Sequence, residues 1–307
     1  MTKIGALIVT FSPELLRLKE NIDAIIKQID QIVLVDNGSS NVDAIEKMAE
    51  PYGINVIRLH NEHGIAGAQN EGMKFLMDAG MDWGLTLDQD SVLPKNGIEK
   101  YTKTPVFNDA TTGILAAQYD DPNWTDAQRA AKLDSTGKAI VEKKMVIASG
   151  NLVKISAWKE VGGYDEWMFI DQVDFDFNAK LLIAGYKIWQ VNEVVMNHEV
   201  GKVVQKKILA KILLFPKTAI FSDHSAFREY YIQRNTIVYS KRYPEFRRHR
   251  LQTLVSMIQS RRILVYSNPL PKLFAAWKGI IDGIKYAPSL DVKFMAFRES
   301  VDNKNES

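Results

Sequence analysis

Four short apolar runs recur in the first ninety residues, each followed by a segment with helical spacing. They are IGALIVT (Ile4–Thr10), IVLVD, INVIRL and WGLTLD. Runs this short, apolar at every position rather than every second one, are strands covered on both faces, and strands alternating with helices build a largely parallel sheet. After Thr10, Ser12 offers an N-cap and Pro13 a first helical residue, with Leu15, Leu18, Ile22, Ile25 and Ile29 at helical spacing. Helices are expected over 41–49, 66–79 and 171–184, the last ending at Gly185, with a strand at YKIWQV. The polar stretch 119–143 reads as an irregular excursion with a hairpin, and the sheet is expected to resume near MVIASG. Beyond about 200 the pattern is mainly helical.

A chain of 307 residues with 46% hydrophobic and 25% charged residues can bury a large core of ordinary globular type. It contains no cysteine, which excludes disulfides, thiolate metal sites and cysteine nucleophiles and fits a reducing compartment. The N-terminal MTKIGALIVTF reads as a first buried strand rather than a signal peptide, and no apolar run approaches the ~20 residues of a membrane span. Charge is divided unevenly. Residues 1–200 carry 19 Lys and Arg against 29 Asp and Glu, while 201–307 carry 20 against 8. The expectation is two regions: a catalytic one over 1–200, and a basic helical one over 201–307 suited to an anionic partner or to oligomerisation.

Ligands of such sheets bind at the carboxyl ends of the strands, where Asp36 and Asp88 stand. Alone, VDNGSS (Val35–Ser40) is best read as an Asx-type turn. Gly64, Gly67 and Gly72 match neither G-x-G-x-x-G nor a P-loop; they suit an anion at a helix start and tight helix packing equally. LTLDQDS places Asp88 and Asp90 two residues apart, on one side of an extended chain, as hard oxygen ligands for Mg²⁺ or Mn²⁺. GGYDEWMFIDQVDFDF sets Asp171, Asp174 and Asp176 among aromatic residues near a helix start, which suits dipole complementation or a general base. His198 alone reads as a structural residue.

Taken in order, IVTF, VDNGS, Asn61–Gly64–Ala66–Ala68–Asn70–Gly72, LDQDS, GGYDE, FIDQVDFDF and AGYKI resemble the family 2 glycosyltransferases of GT-A fold. FIDQVD and EYYIQRN (Glu229–Asn235) are most similar to their bacterial rhamnosyltransferase-like branch. The resemblance covers about 1–240 and implies a Rossmann-like, mainly parallel sheet flanked by helices, with a helical basic C-terminal extension. It further implies that Asp36, with Thr10 and Asn37, binds the nucleotide, and that Gly67 and Asn70 lie near the nucleotide sugar. By the same resemblance Asp90, with Asp88 and His198, holds Mn²⁺ or Mg²⁺, while Tyr231, Arg234 and Asn235 lie near the diphosphate. Asp174 matches the catalytic base. Many relatives read Glu-Asp where this chain reads Val173-Asp174, and the branch carries Asp three residues earlier, so Asp171 is the second candidate.

The implied activity is inverting, metal-dependent transfer of a hexosyl group from dTDP-rhamnose or a UDP-hexose to a glycan or lipid-linked glycan in bacterial polysaccharide or glycoconjugate synthesis. The implied location is cytoplasmic, extending to the inner face of the cell membrane. The alternatives are a non-catalytic nucleotide-sugar binder of the same fold and a nucleotidyl transferase. GALIVTFSPE lacks the basic Gly-rich signature that the latter would prefer. In the C-terminal part, the helix 272–287 carries Leu273, Phe274, Trp277, Ile280, Ile281 and Ile284 on one broad face, edged by Lys272, Lys278 and Lys285. Residues 245–287 therefore read either as a peripheral membrane contact or as a stripe packed on the catalytic region or a second subunit. No nucleic-acid motif accompanies the charge.

Overall fold

The computed structural model describes residues 2–121, 123–133, 136–198, 211–215, 222–246 and 249–305. The expected helical region from 201 lies partly outside them, at 201–210, 216–221, 247–248 and 306–307, and so does part of the 245–287 stripe. By packing, the chain forms two compact units, Met1–Phe169 with Val173–Glu199, and Ile170–Gln172 with Val200–Ser307.

In the first unit, β1 (Ile4–Thr10), β2 (Gln31–Asp36), β3 (Asn55–Arg58) and β4 (Trp83–Asp88) alternate with α1 (Leu15–Ile25), α2 (Val42–Ala49) and α3 (Gly64–Asp78). Then come α4 (Gly97–Thr102), β5 (Thr112–Asp120), α5 (Asp126–Lys132), β6 (Ile140–Lys143), β7 (Asn151–Lys154), α6 (Ile155–Glu160), α7 (Val173–Ile183) and β8 (Lys187–Asn197). One eight-stranded sheet results, in the order β3-β2-β1-β4-β7-β5-β8-β6. β3, β2, β1 and β4 are mutually parallel, β7 is antiparallel to both β4 and β5, β5 and β8 are parallel, and β6 closes the edge antiparallel to β8. This is the α/β sheet with flanking helices that the apolar runs imply.

All seven residues of β1 are buried, as a central parallel strand requires. Ile4, Ala6 and Ile8 face Leu18, Ile22 and Ile25 of α1 in the main core. On the other face a Cβ on Gly72 would lie 2.8 Å from Leu7 Cβ, so that glycine lets α3 lie close on β1.

Several expectations shift. Ser12 takes a left-handed φ of 49° and Glu14 is the residue before α1, so Ser12 and Pro13 do not start that helix. The Ser12 amide instead donates to Ser39 Oγ at 2.7 Å, tying two sheet-end loops together. Ile29 lies beyond α1, although it still packs on the core. The segment read as irregular contains the end of β5, helix α5 with a Thr125–Gln128 capping box, and edge strand β6, which pairs with β8 rather than forming a hairpin. MVIASG is an irregular segment ending in a turn, and the strand expected near it follows directly at Asn151–Lys154. Residues 171 and 172 precede α7 with φ of 60° and 63°.

In the second unit, helices α8 (Ala226–Arg242), α9 (His249–Gln259), α10 (Pro269–Lys285) and α11 (Val292–Asn305) follow. Gly279 and Gly283 of α10 face α8, where a Cβ would stand 2.2 Å from Tyr230 O and 3.0 Å from Arg234 O.

Candidate metal and nucleotide-sugar site

Parallel register brings the first residues together. Thr10 is opposite Asp36 and Val9 opposite Asp88, so the ends of β1, β2 and β4 form one sheet edge. Asp36 is buried; its Oδ1 accepts from Thr10 Oγ1 at 3.0 Å, and its Oδ2 accepts from the amides of Gly38 (3.1 Å) and Ser39 (2.9 Å). Its carboxylate therefore builds the Asx-type turn, and what that turn presents is the loop carrying Asn37. The Asn37 amide donates to Thr10 O, and its Nδ2 donates to Asn61 Oδ1 at 2.9 Å. Beside this loop, at the ends of β2 and β3 and the start of α3, a cavity of about 280 Å³ opens between Asn37, Arg58, His60, His63, Gly67 and Glu166.

β4 ends at Asp88, and its continuation meets β8 through a bridge in which Val92 and Asn197 exchange backbone hydrogen bonds of 2.9 and 3.0 Å. That bridge carries His198 across 108 residues of chain to Asp90. Ligand atoms of Asp88, Asp90 and His198 all lie within 4.8 Å of one another. His198 Nδ1 is 2.8 Å from Ser91 Oγ and 3.6 Å from Asp90 Oδ1. Ser149, in the turn before β7, donates to Ser91 Oγ and accepts from the Asp88 amide at 2.9 Å. Arg17 of α1 donates to Asp90 O at 2.9 Å and to Asn197 Oδ1 at 2.5 Å, fastening the D-x-D turn to the end of β8. Arg17, Ser91 and Ser149 carry no sequence signal of this role.

Burial works against charge on the Asp90 carboxyl, but His198 and, more weakly, Arg17 outweigh it and hold the group below its ordinary range. Burial likewise pulls the His198 imidazole down, and Asp90 with the charges of Asp88 and Asp121 more than reverses it. Asp90 Oδ1 is buried and makes no hydrogen bond. Two carboxylates, one of them with an oxygen whose lone pair is unused, and an imidazole form a donor set that fits a divalent cation such as Mn²⁺ or Mg²⁺, whose charge would take over the pairing that His198 provides.

Two motif positions turn out to be occupied by scaffolding. Asn70 Nδ2 donates to Tyr164 O (2.9 Å) and Glu166 Oε1 (3.0 Å), and its Oδ1 accepts from the Tyr164 amide at 2.9 Å, so it fastens α3 to the GGYDE loop. Gly64, at φ 60°, leaves room for Phe169: an added Cβ would lie 2.1 Å from Phe169 O, which accepts from the Ile65 amide at 2.9 Å. Gly64→Ala is expected to cost about 1–3 kcal/mol from the left-handed conformation alone, with the clash in addition. A lower urea midpoint for that variant would register the loss.

Asp174 sits half-buried in the first turn of α7, where its Oδ1 accepts from the Phe175 amide at 2.9 Å. Its charge reaches the buried Tyr164 phenol, which burial first and Asp174 second push upward. Asp171 belongs to the second unit, where both its oxygens accept from Arg228 at 3.1–3.3 Å. In that unit Asn235 is fully buried and donates to Ile170 O (2.8 Å) and Asp171 O (2.9 Å). The buried Arg234 guanidinium lies 4.6 Å from the Tyr231 ring centre and donates from Nε to Asn235 Oδ1.

Residues 6–152 match the model of the family described as Glycosyl transferase family 2. The chain is 28% identical over 248 residues to dTDP-rhamnosyl transferase RfbF of Shigella flexneri, a span covering 77% of this chain and 79% of that protein. Its fold is shared with S. aureus TarS 1-349 in complex with UDP-GlcNAc (TM-score 0.53, 14% identity, 92% of this chain and 89% of that one). It is also shared with GalNAc-T7 with UDP, GalNAc and Mn²⁺ (TM-score 0.54, 16% identity), where the likeness covers 65% of this chain and 44% of that one.

Proposed function

We propose that the chain, whose residues 6–152 match the Glycosyl transferase family 2 model, is a glycosyltransferase that moves rhamnose from dTDP-rhamnose to a hydroxyl of a glycan acceptor with inversion at the anomeric carbon. The observation that carries this reading is the convergence of Asp88, Asp90 and His198 at the sheet edge beside Thr10, Asp36 and Asn37. The rhamnosyl donor is favoured because RfbF is a rhamnosyl transferase and is similar over most of both chains. The UDP compounds in the solved neighbours make a UDP-hexose the second reading.

The nucleoside enters the cavity beside Asn37, Arg58 and His60, with its base against the loop that Asp36 holds. Asp88, Asp90 and His198 would hold a divalent ion, which when bound neutralises charge on the diphosphate leaving group. The acceptor oxygen attacks the anomeric carbon as the bond to the diphosphate oxygen breaks and its electron pair leaves with that oxygen. The hydroxyl proton passes to the Asp174 carboxylate. A single base without a carboxylate nucleophile gives one displacement and therefore inversion. Asp171 is the weaker candidate, since its two oxygens are already committed to Arg228.

Titration calorimetry with dTDP-rhamnose, UDP-glucose and UDP-GlcNAc, with Mn²⁺ or with chelator, tests this reading. Metal-dependent binding of dTDP-rhamnose is expected, weakened about 100-fold in Asp90→Ala, a loss at the upper end of that seen for groups that only support a ligand. Release of dTDP in the presence of acceptor separates transfer from mere binding. A preference for UDP-sugars would move the assignment to the second reading, and binding to none of them would overturn it.

A further inference from the structure

The α10 helix buries one side and leaves the other bare. Ala276, Gly279, Ile280 and Gly283 pack inward, Leu273 joins the small core around Ile263 and Tyr266, and Asp282 accepts from Tyr230 Oη at 2.9 Å. The broad apolar face expected from sequence is therefore divided. Leu270, Phe274, Trp277, Ile281 and Ile284 stand 44–77% exposed. At 100° per residue these five fall within an arc of about 80°, flanked on one side by exposed Lys278 and Lys285. The neighbouring α9 adds exposed Leu251, Leu254 and Ile258 at helical spacing.

We propose that this face of α10 docks the protein on an anionic lipid surface. Exposed aliphatic residues gathered around a phenyl and an indole ring on one helix face, rimmed by lysines, are the composition of an interaction or membrane site. Its charge selects the occupant. Residues 201–307 carry 20 Lys and Arg against 8 Asp and Glu, and the lysines border the stripe itself. A second copy meeting the stripe through a two-fold axis perpendicular to α10 would bring those lysines, which share one flank, toward their equivalents. Phosphate headgroups would pair with them while the rings and aliphatic chains enter the interface, where tryptophan is favoured. No helix among the described residues is long and apolar enough to cross a membrane, so the contact is one of lying on the surface. A lipid-borne acceptor would then be displayed at the plane where the protein rests. The docking itself does not depend on the identity of the donor.

Sedimentation of the full chain with vesicles of phosphatidylcholine, alone or with phosphatidylglycerol, tests this. Wild type is expected to sediment with the anionic vesicles, and less so as salt is raised. Phe274→Ser with Ile281→Ser is expected to abolish sedimentation. Lys278→Gln with Lys285→Gln is expected to weaken it by roughly fivefold for each lysine. All four side chains are exposed, so both variants should melt as wild type does. The proposal is overturned if wild type stays in the supernatant with anionic vesicles, or if neither pair of substitutions changes its binding. It is overturned in favour of a second copy if wild type is a dimer that the serine pair turns into monomers and neither form binds vesicles.

Discussion

Asp174→Asn is expected to lower kcat by about 10²–10⁴, the range over which a positioned general base contributes, with donor affinity within a factor of two of wild type. The asparagine keeps the shape and can still accept from the Phe175 amide at the start of α7. What it cannot do is take a proton. The separation of kcat from donor binding is the informative part, since a substitution that merely loosened the site would weaken both. Asp171→Asn is the control. Its carboxylate is spent on Arg228, so its loss should act on the stability of the second unit, with turnover reduced by about tenfold or less. Single-turnover rates for the two variants, beside calorimetric donor affinities, decide between them. If Asp171→Asn is the more damaging in the chemical step while donor binding survives, the roles of the two aspartates are reversed.

How far this was legible in the sequence depended on whether the signal was local. The β1–β4 half was readable because β1, β2 and β4 are largely apolar runs, β3 is a short one with Val56 and Ile57 at its centre, and the helices between them keep their period. β5 escaped notice, although it is a nine-residue strand between β7 and β8, because TGILAAQYD has glycine as its second residue and alanines at its centre, residues poor in strand propensity. β7, expected near MVIASG, begins just after it at Asn151, since those six residues form the irregular segment and turn that lead into the strand. That turn is what presents Ser149 to the Asp88 amide.

Asp88 and Asp90 were visible as a pair, but their link to His198 arises from the Val92–Asn197 bridge, a contact no periodicity announces. Arg17 is the plainest case. In sequence it is one charged residue on the outer side of an amphipathic helix; in the fold it fixes the turn that carries Asp90. Asn70 shows the converse, a motif position whose amide is consumed by the neighbouring loop.

Asp291→Asn is expected to remove about 3–5 kcal/mol from the stability of the second unit at pH 7, the cost of stranding a buried charge. Arg242 is only 1% exposed as a side chain, with Asp291 Oδ2 at 2.5 Å and Tyr286 Oη at 2.7 Å from its guanidinium nitrogens. Its guanidinium also lies 5.2 Å from the Phe294 ring centre. Asparagine retains the cap that Asp291 gives to the Phe294 amide, so the substitution isolates the charge.

Burial works against ionising Asp291, but Tyr286 and Arg242 outweigh it and hold its carboxyl below the ordinary range. A depressed folded-state value means that the stabilisation is complete above the unfolded aspartate's ~3.9 and disappears as pH falls through the lower folded value. The gap between wild type and Asp291→Asn in urea midpoints should therefore be constant from pH 5 to 8 and close only below about 4. Arg242→Met combined with Asp291→Asn should recover most of the loss, because with the guanidinium gone no buried charge is left without a counter-charge. If the double variant is as unstable as the single one, packing rather than the stranded charge sets the cost.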